Sequence, residues 1–478
     1  MPFEDQDKKV LMKNFVLTTL FCAMFGAQSA AAAGVSFQQA RLMMQQRADM
    51  LKISQAEIDQ KTEQIKEARS LSGPKISLNA QQVEGRKDIH MAFDNPLGSA
   101  GAVFGQMMPQ LPQIGSLLGQ NKFKIDMEED ISGPRASIDL MWPIYTGGAI
   151  SAKQNASEAA LRQARAGHDK TQDELDTLLV QKYFGVQLAR SVEKLRADLL
   201  KQQERDLNRA KKFEKAGLIA KIERMSAQVN RDAAERDFIA SQTDRQVAET
   251  ELADLLREKE VGSLETPMFV TKDLKTLSYW QDLAIANNPT LKALEAQHEQ
   301  ARMGVQAAKS AYHPQVYLFG HYNMIKHYLT LPEPDWIAGI GVSFTLWDNR
   351  DRSSRVGGAQ ALVNKAQAAQ SQARNEINKV VEVAWLKSTQ ALEQYRLTTS
   401  SIDLAKENVR LRERSFKEGL STVDDVNDAR NKLIAAEVAQ RVAAYRFVVS
   451  YSLLHAASGR MIDFMDALTR PNITVIEQ

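Results

Sequence analysis

Ala338-Gly-Ile-Gly-Val-Ser-Phe-Thr-Leu-Trp347 sets Ile340, Val342, Phe344 and Leu346 on one face and Gly339, Gly341, Ser343 and Thr345 on the other. That period of two is the mark of a half-buried strand. Its echo upstream is Ala136-Ser-Ile-Asp-Leu-Met-Trp-Pro-Ile-Tyr145. Each strand leads into a long polar helix, and each helix stops at a similar glycine turn. The first turn is Phe213-Glu-Lys-Ala-Gly217-Leu and the second is Phe416-Lys-Glu-Gly419-Leu. The chain is therefore two copies of one unit.

Working outward, each copy opens with a helix closed by proline. The segment from about Phe37 to Leu71 ends at Ser72-Gly73-Pro74, and its counterpart from about Leu274 to Tyr312 ends at His313-Pro314. Strands are expected over 75–83 and 135–145 in the first copy, and over 315–325 and 336–347 in the second. The first copy inserts residues 84–133 between its strands, a stretch rich in Gly, Pro and Met that reads as a long irregular loop.

The helices after the strands, about 148–216 and 350–418, each reach about 105 Å at 1.5 Å per residue. Their apolar residues form narrow stripes, such as Leu175, Leu179, Val186, Ala189, Val192 and Leu199, with abundant alanine at Ala156, Ala159, Ala160, Ala164 and Ala166. Narrow stripes and small side chains suit coiled-coil contact with the other faces in water. The returning helices, about 219–259 and 423–458, are half as long. Each matches its long partner only if the opening helix of its copy is stacked on its end. The expected organisation is thus 34–259 as first repeat, 260–276 as connection, 277–459 as second repeat and 460–478 as a closing segment. The two leftover pieces are expected outside the wall near its middle.

Residues 1–33 read as a secretory signal peptide: Lys8, Lys9 and Lys13 precede the apolar run Phe15 to Phe25, followed by Ala27-Gln-Ser-Ala-Ala-Ala-Ala33. The only cysteine, Cys22, lies inside that run. Bulky Phe21 before it argues against cleavage and acylation there. Without other thiols, an exported chain gets its stability from packing and assembly. No later stretch has the ~18 apolar residues of a membrane-spanning helix. If this protein crosses a membrane, it does so with strands.

Net charge is +2, with 61 basic and 59 acidic residues interspersed along helix faces, which leaves no footprint for nucleic acid. No catalytic constellation stands out, and neither a cofactor nor a metal is expected. Six of the seven histidines, His168, His298, His313, His321, His327 and His455, are scattered, and no phosphate-binding glycine loop follows a strand. Four strands of roughly ten residues suit the ~9 to 11 that span an outer membrane. Their edges would expose unpaired backbone to lipid, so the chain has to oligomerise. Trp142, Tyr145, Tyr312, Tyr328, Trp336 and Trp347 stand at strand ends, where interfacial aromatics belong.

In this repeat, in its element order and in the tip motifs Gly217-Leu-Ile-Ala-Lys-Ile-Glu-Arg-Met-Ser-Ala227 and Gly419-Leu-Ser-Thr-Val-Asp-Asp-Val-Asn-Asp-Ala429, the sequence resembles the TolC-like family of trimeric outer-membrane export channels. Asn288-Pro289-Thr-Leu looks like the family's opening of the second half, where the first half has Arg47-Ala-Asp. The resemblance implies a mixed α and β membrane protein. Three chains would form a 12-stranded outer-membrane β-barrel, continued by an α-helical coiled-coil tunnel through the periplasm. It also implies a periplasmic adaptor, which would meet the tips Gly217, Leu218, Ile219, Gly419, Leu420 and Ser421, and an inner-membrane pump that delivers small toxic compounds. Protein secretion or metal efflux through the same duct is an alternative, and an exported coiled-coil scaffold outside any membrane is a second.

Asp425 and Asp428, spaced i, i+3, share one face of the returning helix and match the family's gate motif, so the expected periplasmic gate is two stacked carboxylate rings. Thr422 with Asp425 also reads as a helix capping box. Phe416 stands where the family often has tyrosine, so the contacts that hold the tips together are expected to differ.

Overall fold

The computed structural model describes residues 34–94, 122–327, 333–347, 351–468 and 473–475. The expected signal segment 1–33 and Tyr328 lie outside these residues. The element order is α1 (Phe37–Arg47), α2 (Asp49–Ser70), β1 (Lys75–Asp94), β2 (Lys122–Tyr145), α3 (Ala149–Lys215) and α4 (Lys221–Leu256), then β3 (Phe269–Thr271). The second half follows with α5 (Leu277–Asn287), α6 (Pro289–Lys309), β4 (Gln315–Asn323), β5 (Trp336–Ser343), α7 (Arg352–Lys417), α8 (Val423–Ala457), α9 (Met461–Ala467) and β6 (Ile473–Val475). None of the described helices is long and apolar enough to cross a membrane.

The chain divides into two compact units. One comprises Met1–Ile58, Gln163–Glu295 and Ala368–Gln478, the other Asp59–Arg162 and Ala296–Gln367. The second unit holds a four-stranded antiparallel sheet in the order β1-β2-β4-β5. Lys75 pairs with Met141, Ser137 with Asn323 and Gln315 with Ser343 along its three ladders. The loop expected over 84–133 is corrected here: β1 runs on to Asp94, and β2 begins at Lys122, paired residue for residue. Residues 84–88 of this outer ribbon, Glu-Gly-Arg-Lys-Asp, show no apolar alternation, and Glu84, Gly85, Arg86 and Asp88 are exposed, although Ile89, Met91 and Phe93 recur at the period of a strand beyond them. In the other direction β5 stops at Ser343, short of the expected 347, because its partner β4 begins at Gln315. β4 itself ends at Asn323 rather than 325.

In the first unit, two helical hairpins pack through the expected stripes. Leu175, Leu179, Val186 and Leu199 of α3 are all buried. Ion pairs Arg190–Glu249, Arg196–Asp237 and Lys182–Glu251 join α3 to α4 at 2.7 to 2.9 Å. Such exposed pairs add about 0–1 kcal/mol each, and they fix the pairing register more than they hold the hairpin together. Between α7 and α8 the contact is close enough for Ser388 Oγ to donate to Ser450 Oγ at 3.0 Å, both side chains buried.

Each opening helix was expected to be continuous, and both are broken. Ala48 and Asn288 take extended backbone, at φ −63°, ψ 116° and φ −56°, ψ 125°. Asn288 precedes proline, which disfavours the helical conformation. It then starts α6 by accepting from Thr290 N–H at 2.9 Å. The breaks are where the returning helices end. Arg47 Nη1 donates to the carbonyl oxygens of Leu256 and Arg257 at 3.0 and 3.3 Å, and Asn288 Nδ2 donates to Ala457 O at 2.8 Å. Side chains at the breaks thus satisfy carbonyls that a helix end leaves open.

The leftover segments pair with each other, β3 against β6. They belong to an aromatic core in which Phe269 lies 5.9 Å from Phe464, Phe447 stacks on Tyr451 at 5.4 Å and Phe37 stacks on Phe184 at 5.6 Å. Tyr183 Oη donates to Val35 O at 2.7 Å and accepts from Thr266 N–H at 3.1 Å.

Beside this core Asp176 is fully buried and held by Arg41, whose Nε and Nη2 donate to its carboxylate at 2.8 and 2.6 Å. Its neighbour Asp173 has its pKa pushed up to about 7, chiefly by burial and then by the charges of Asp176 and Asp169. An acid whose folded pKa exceeds its unfolded value binds its proton more tightly in the native state. Stability from this group is therefore full below about pH 4 and is lost as pH rises through about 7. Asp173→Asn should raise the thermal unfolding temperature in detergent at ~pH 8 and leave it nearly unchanged at ~pH 4, the contrast being read from parallel melts.

Candidate functional sites: hairpin tips and the two faces of the sheet

At the tips, α3 and α7 end in the same way. Gly217 N–H donates to Glu214 O and Leu218 N–H to Phe213 O, both at 2.9 Å. Gly419 N–H donates to Phe416 O at 3.1 Å and Leu420 N–H to Ser415 O at 2.9 Å. This paired bonding needs a left-handed residue, and the two glycines supply it at φ +71° and +76°. It turns the next side chain outward: Leu218 is 70% exposed and Leu420 78%. Ile219 lies half-buried at the mouth of a cavity of about 420 Å³, also lined by Phe213, Phe416, Val426 and Ser421.

Asp425 is the third residue of α8 and forms the capping box with Thr422. Its carboxylate accepts from Thr422 N–H at 2.9 Å, from the Thr422 hydroxyl at 2.8 Å and from the Ser421 hydroxyl at 3.1 Å. These bonds, led by the Thr422 backbone N–H, hold its pKa below the usual carboxylate range. Asp428 is exposed and pairs with Lys432 one turn on, at 2.7 Å. Asp424 is exposed as well. The three acids crowd the first two turns, where the helix dipole favours them.

Sequence reasoning missed the contacts between the two hairpins. Arg430, only 13% exposed, donates to Asp206 of α3, and its Nε and Nη2 donate to Glu413 of α7 at 3.1 and 2.5 Å. Beside it Gln203 Nε2 donates to Asn427 Oδ1 at 3.2 Å, both residues buried. The available signal was the single arginine placed directly after Ala429 on the buried side of α8. Its carboxylate partners are too far away in sequence to be assigned from the sequence alone.

Elsewhere on these hairpins apolar side chains stand in solvent. On α7, Leu397, Leu404 and Leu411 recur every seven residues, all exposed. On α4, Ile222, Val229, Ile239 and Val247 are exposed too. Spacing of this kind is that of a coiled-coil seam.

In the second unit the sheet has two chemically distinct faces. Ile76, Leu78 and Ala80 of β1, Ile138, Leu140 and Trp142 of β2, Val316 and Leu318 of β4, and Ile340 and Val342 of β5 share one face by register, and nothing charged interrupts it. Ile76, Leu78, Ile340 and Val342 are each about two-thirds exposed, a band that would be unstable in water. Trp142 lies toward one end, its Nε1 donating to Ser72 O at 2.9 Å, with Tyr145 and Tyr312 exposed near the same end. Trp336 closes the other end opposite Tyr322, and Trp347 is exposed past the end of β5.

The opposite face carries Asn79, Ser137, Asp139, His321 and Asn323. Asp139 accepts from Asn79 Nδ2 at 2.5 Å and lies 2.6 Å from His321 Nδ1, while Asn323 Oδ1 lies 3.1 Å from His321 Nε2. Arg135 pairs with Glu333 at 2.9 Å. The scattered positions of the histidines in sequence did not announce this network, because its members come from three strands. Among the described residues no cluster of His, Cys, Asp and Glu is arranged to hold a metal ion.

With this geometry in view, comparison with known proteins is specific. The pattern of the family described as outer membrane efflux protein matches residues 41–256 and 280–460. A stretch of 209 residues is 28% identical to the outer membrane protein TolC of Vibrio cholerae, spanning 41% of this chain and 46% of that one. The chain thus matches under half the length of that curated relative. A membrane protein from Pseudomonas aeruginosa superposes with a TM-score of 0.71 at 15% identity, over 88% of this chain and 90% of that one. The outer membrane protein VceC of Vibrio cholerae does so with a TM-score of 0.69 at 14% identity, over 89% and 96%. At such identities the superpositions establish the fold.

Proposed function

The chain belongs to the outer membrane efflux protein family, and from that premise we propose that it is the passive exit duct of a tripartite export system for small toxic compounds. As a family member it is an outer-membrane efflux channel and not an enzyme. The observation that carries the finer reading is the linear sheet β1-β2-β4-β5 with an apolar band across one face of all four strands. Its two outer edges are the backbone of β1 and β5, and lipid offers them no hydrogen-bond partner. Three chains, each giving four strands, close a 12-stranded barrel in which β5 of one copy pairs with β1 of the next. The exposed heptad of α7 and the apolar stripe of α4 support the same assembly, as seams between neighbouring copies. The purified protein should give a mass of three chains in native mass measurement. Leu404→Glu with Leu411→Glu should shift it toward single chains, and a folded wild-type monomer in native conditions would rule the assembly out.

In this reading the tips Gly217, Leu218, Ile219, Gly419, Leu420 and Ser421 meet a periplasmic adaptor, which links the duct to an inner-membrane pump. Two leucines turned into solvent by identical glycine caps support it, because an exposed apolar tip gains most from a partner that covers it. Leu218→Asp with Leu420→Asp should abolish export in cells while trimers and membrane insertion persist. Undiminished export would remove the tips from the adaptor interface.

Asp425 and Asp428 form the gate of this duct. Three-fold repetition turns them into rings, favouring cations and restricting passage when narrowed. Asp425 caps its own helix at the same time, and the exposed Asp428–Lys432 pair is weak enough in water to leave Asp428 available. The corresponding turn of the first copy has Glu223 alone, so the second copy supplies the rings. In planar bilayers Asp425→Ala with Asp428→Ala should lower cation selectivity and block by multivalent cations. Thr422→Ala, which removes a cap contribution of about 1 kcal/mol but no charge, should leave both unchanged.

A further inference from the structure

On the polar face of the sheet β4 and β5 carry an arrangement that the family reading does not use. Tyr317 stands directly across from Gly341, and Phe319 across from Gly339. The Tyr317 ring lies over the glycine: a Cβ placed on Gly341 would sit 2.6 Å from Tyr317 Cζ, 2.7 Å from Cε2 and 2.8 Å from Oη. A Cβ on Gly339 would sit 3.2 Å from Cε1 and Cζ of Phe319. Nothing about the backbone demands glycine here, since neither residue has the positive φ that would require it. What the missing side chains provide is room for two aromatic rings to lie down along the sheet.

The rings have one direction in which to go if that room is filled. Along β4 they flank each other, with centroids 6.2 Å apart. On the far side are Pro143 and Met141 of β2, paired with Tyr317 and Phe319. A ring raised from the β5 side therefore points away from the sheet, into whatever space that face encloses.

We infer that Gly339 and Gly341 set the inner width of the strand-walled part of the duct, by letting Tyr317 and Phe319 lie flat against its wall so that bulky cargo can pass there. This rests on the reading of the polar face as the inner wall of a barrel. The glycines act through the rings, so they are positioning residues, and Tyr317 and Phe319 present the surface that cargo meets. Glycine in a strand interior weakens it, and a ring laid over it recovers part of that loss. A purely structural role of that kind would change stability and leave conductance alone, which separates the two accounts.

The experiment is single-channel recording of the full chain reconstituted in planar bilayers, every variant below being made both with and without the gate substitutions Asp425→Ala and Asp428→Ala, so that the conductance also reads the part of the duct beyond the gate. Wild type, Gly341→Val, Tyr317→Ala and the double variant would be compared, with Gly341→Ala as the smaller addition should valine prevent insertion. The expected result is a stepwise loss of conductance in Gly341→Val, a smaller loss in Gly341→Ala, near-normal conductance in Tyr317→Ala, and a double variant indistinguishable from Tyr317→Ala. Equal conductance in wild type and both Gly341 variants overturns the inference, as does a double variant that stays as low as Gly341→Val. Failure of the wall reading gives a different result. A thiol placed by Tyr317→Cys would then fail to block wild-type-sized channels when a water-soluble thiol reagent is added, while Leu318→Cys on the apolar face would react no differently.

Discussion

The structure depends on the hydrogen-bonding requirement of the strand edges at β1 and β5. Every second residue there points an N–H and a C=O outward that hydrocarbon cannot satisfy, and an unsatisfied group costs several kcal/mol. The sheet is open, in the order β1-β2-β4-β5, and its apolar face is complete from Ile76 to Val342. A chain built this way has a defined place, in a membrane, and a defined need, for further strands. The two-fold internal repeat halves the problem by making two hairpins from one design, and neighbours of the same chain are the natural source of the remainder.

The repeat has kept geometry where it has let sequence go. α3, α4, α7 and α8 all end with the same pair of backbone bonds, the left-handed position being Gly217, Arg257, Gly419 and Gly459. Arginine at φ +54° bears a strain of about 1–2 kcal/mol that glycine avoids, and its contact with Asp254 at 3.3 Å does not remove it. The chain tolerates the strain because the helix has to stop there, where Arg47 binds its last carbonyls. Ala48 and Asn288 are likewise one hinge in two spellings, and only the second announces itself, through the proline that follows.

The two ends of the hairpins of the first unit are held by different physics. The core around Phe37, Phe447 and Phe464 is buried and aromatic, with rings both stacked and edge to face. The seam near the tips is polar, resting on Arg430 with its two carboxylates and on the Gln203–Asn427 amide pair. A buried ion pair adds less net stability than packed hydrocarbon of the same size, because both charges had to be desolvated. The tip seam is thus the more easily parted of the two.

The sequence alone determined the repeat, the strands from 75, 135, 315 and 336, the two long helices with their returns, and the need for more than one chain. Each of these rests on a local pattern: alternation for Ile340 and Val342, narrow stripes for Leu175 and Leu179, glycine at 217 and 419, proline after each opening helix. It also placed Asp425 in a capping box, because Thr422 lies three residues before it. Only the tertiary structure decided how far β1 and β2 continue, since the polar run Glu84-Gly-Arg-Lys-Asp88 interrupts the apolar alternation that marks a strand. It alone revealed the break at Ala48, the pairing of β3 with β6, Arg430 between Asp206 and Glu413, and Tyr317 lying over Gly341. These last are meetings of residues between 17 and 224 positions apart, or conformations imposed by such meetings. A local pattern records which face of an element is buried; it does not record what the buried face will touch.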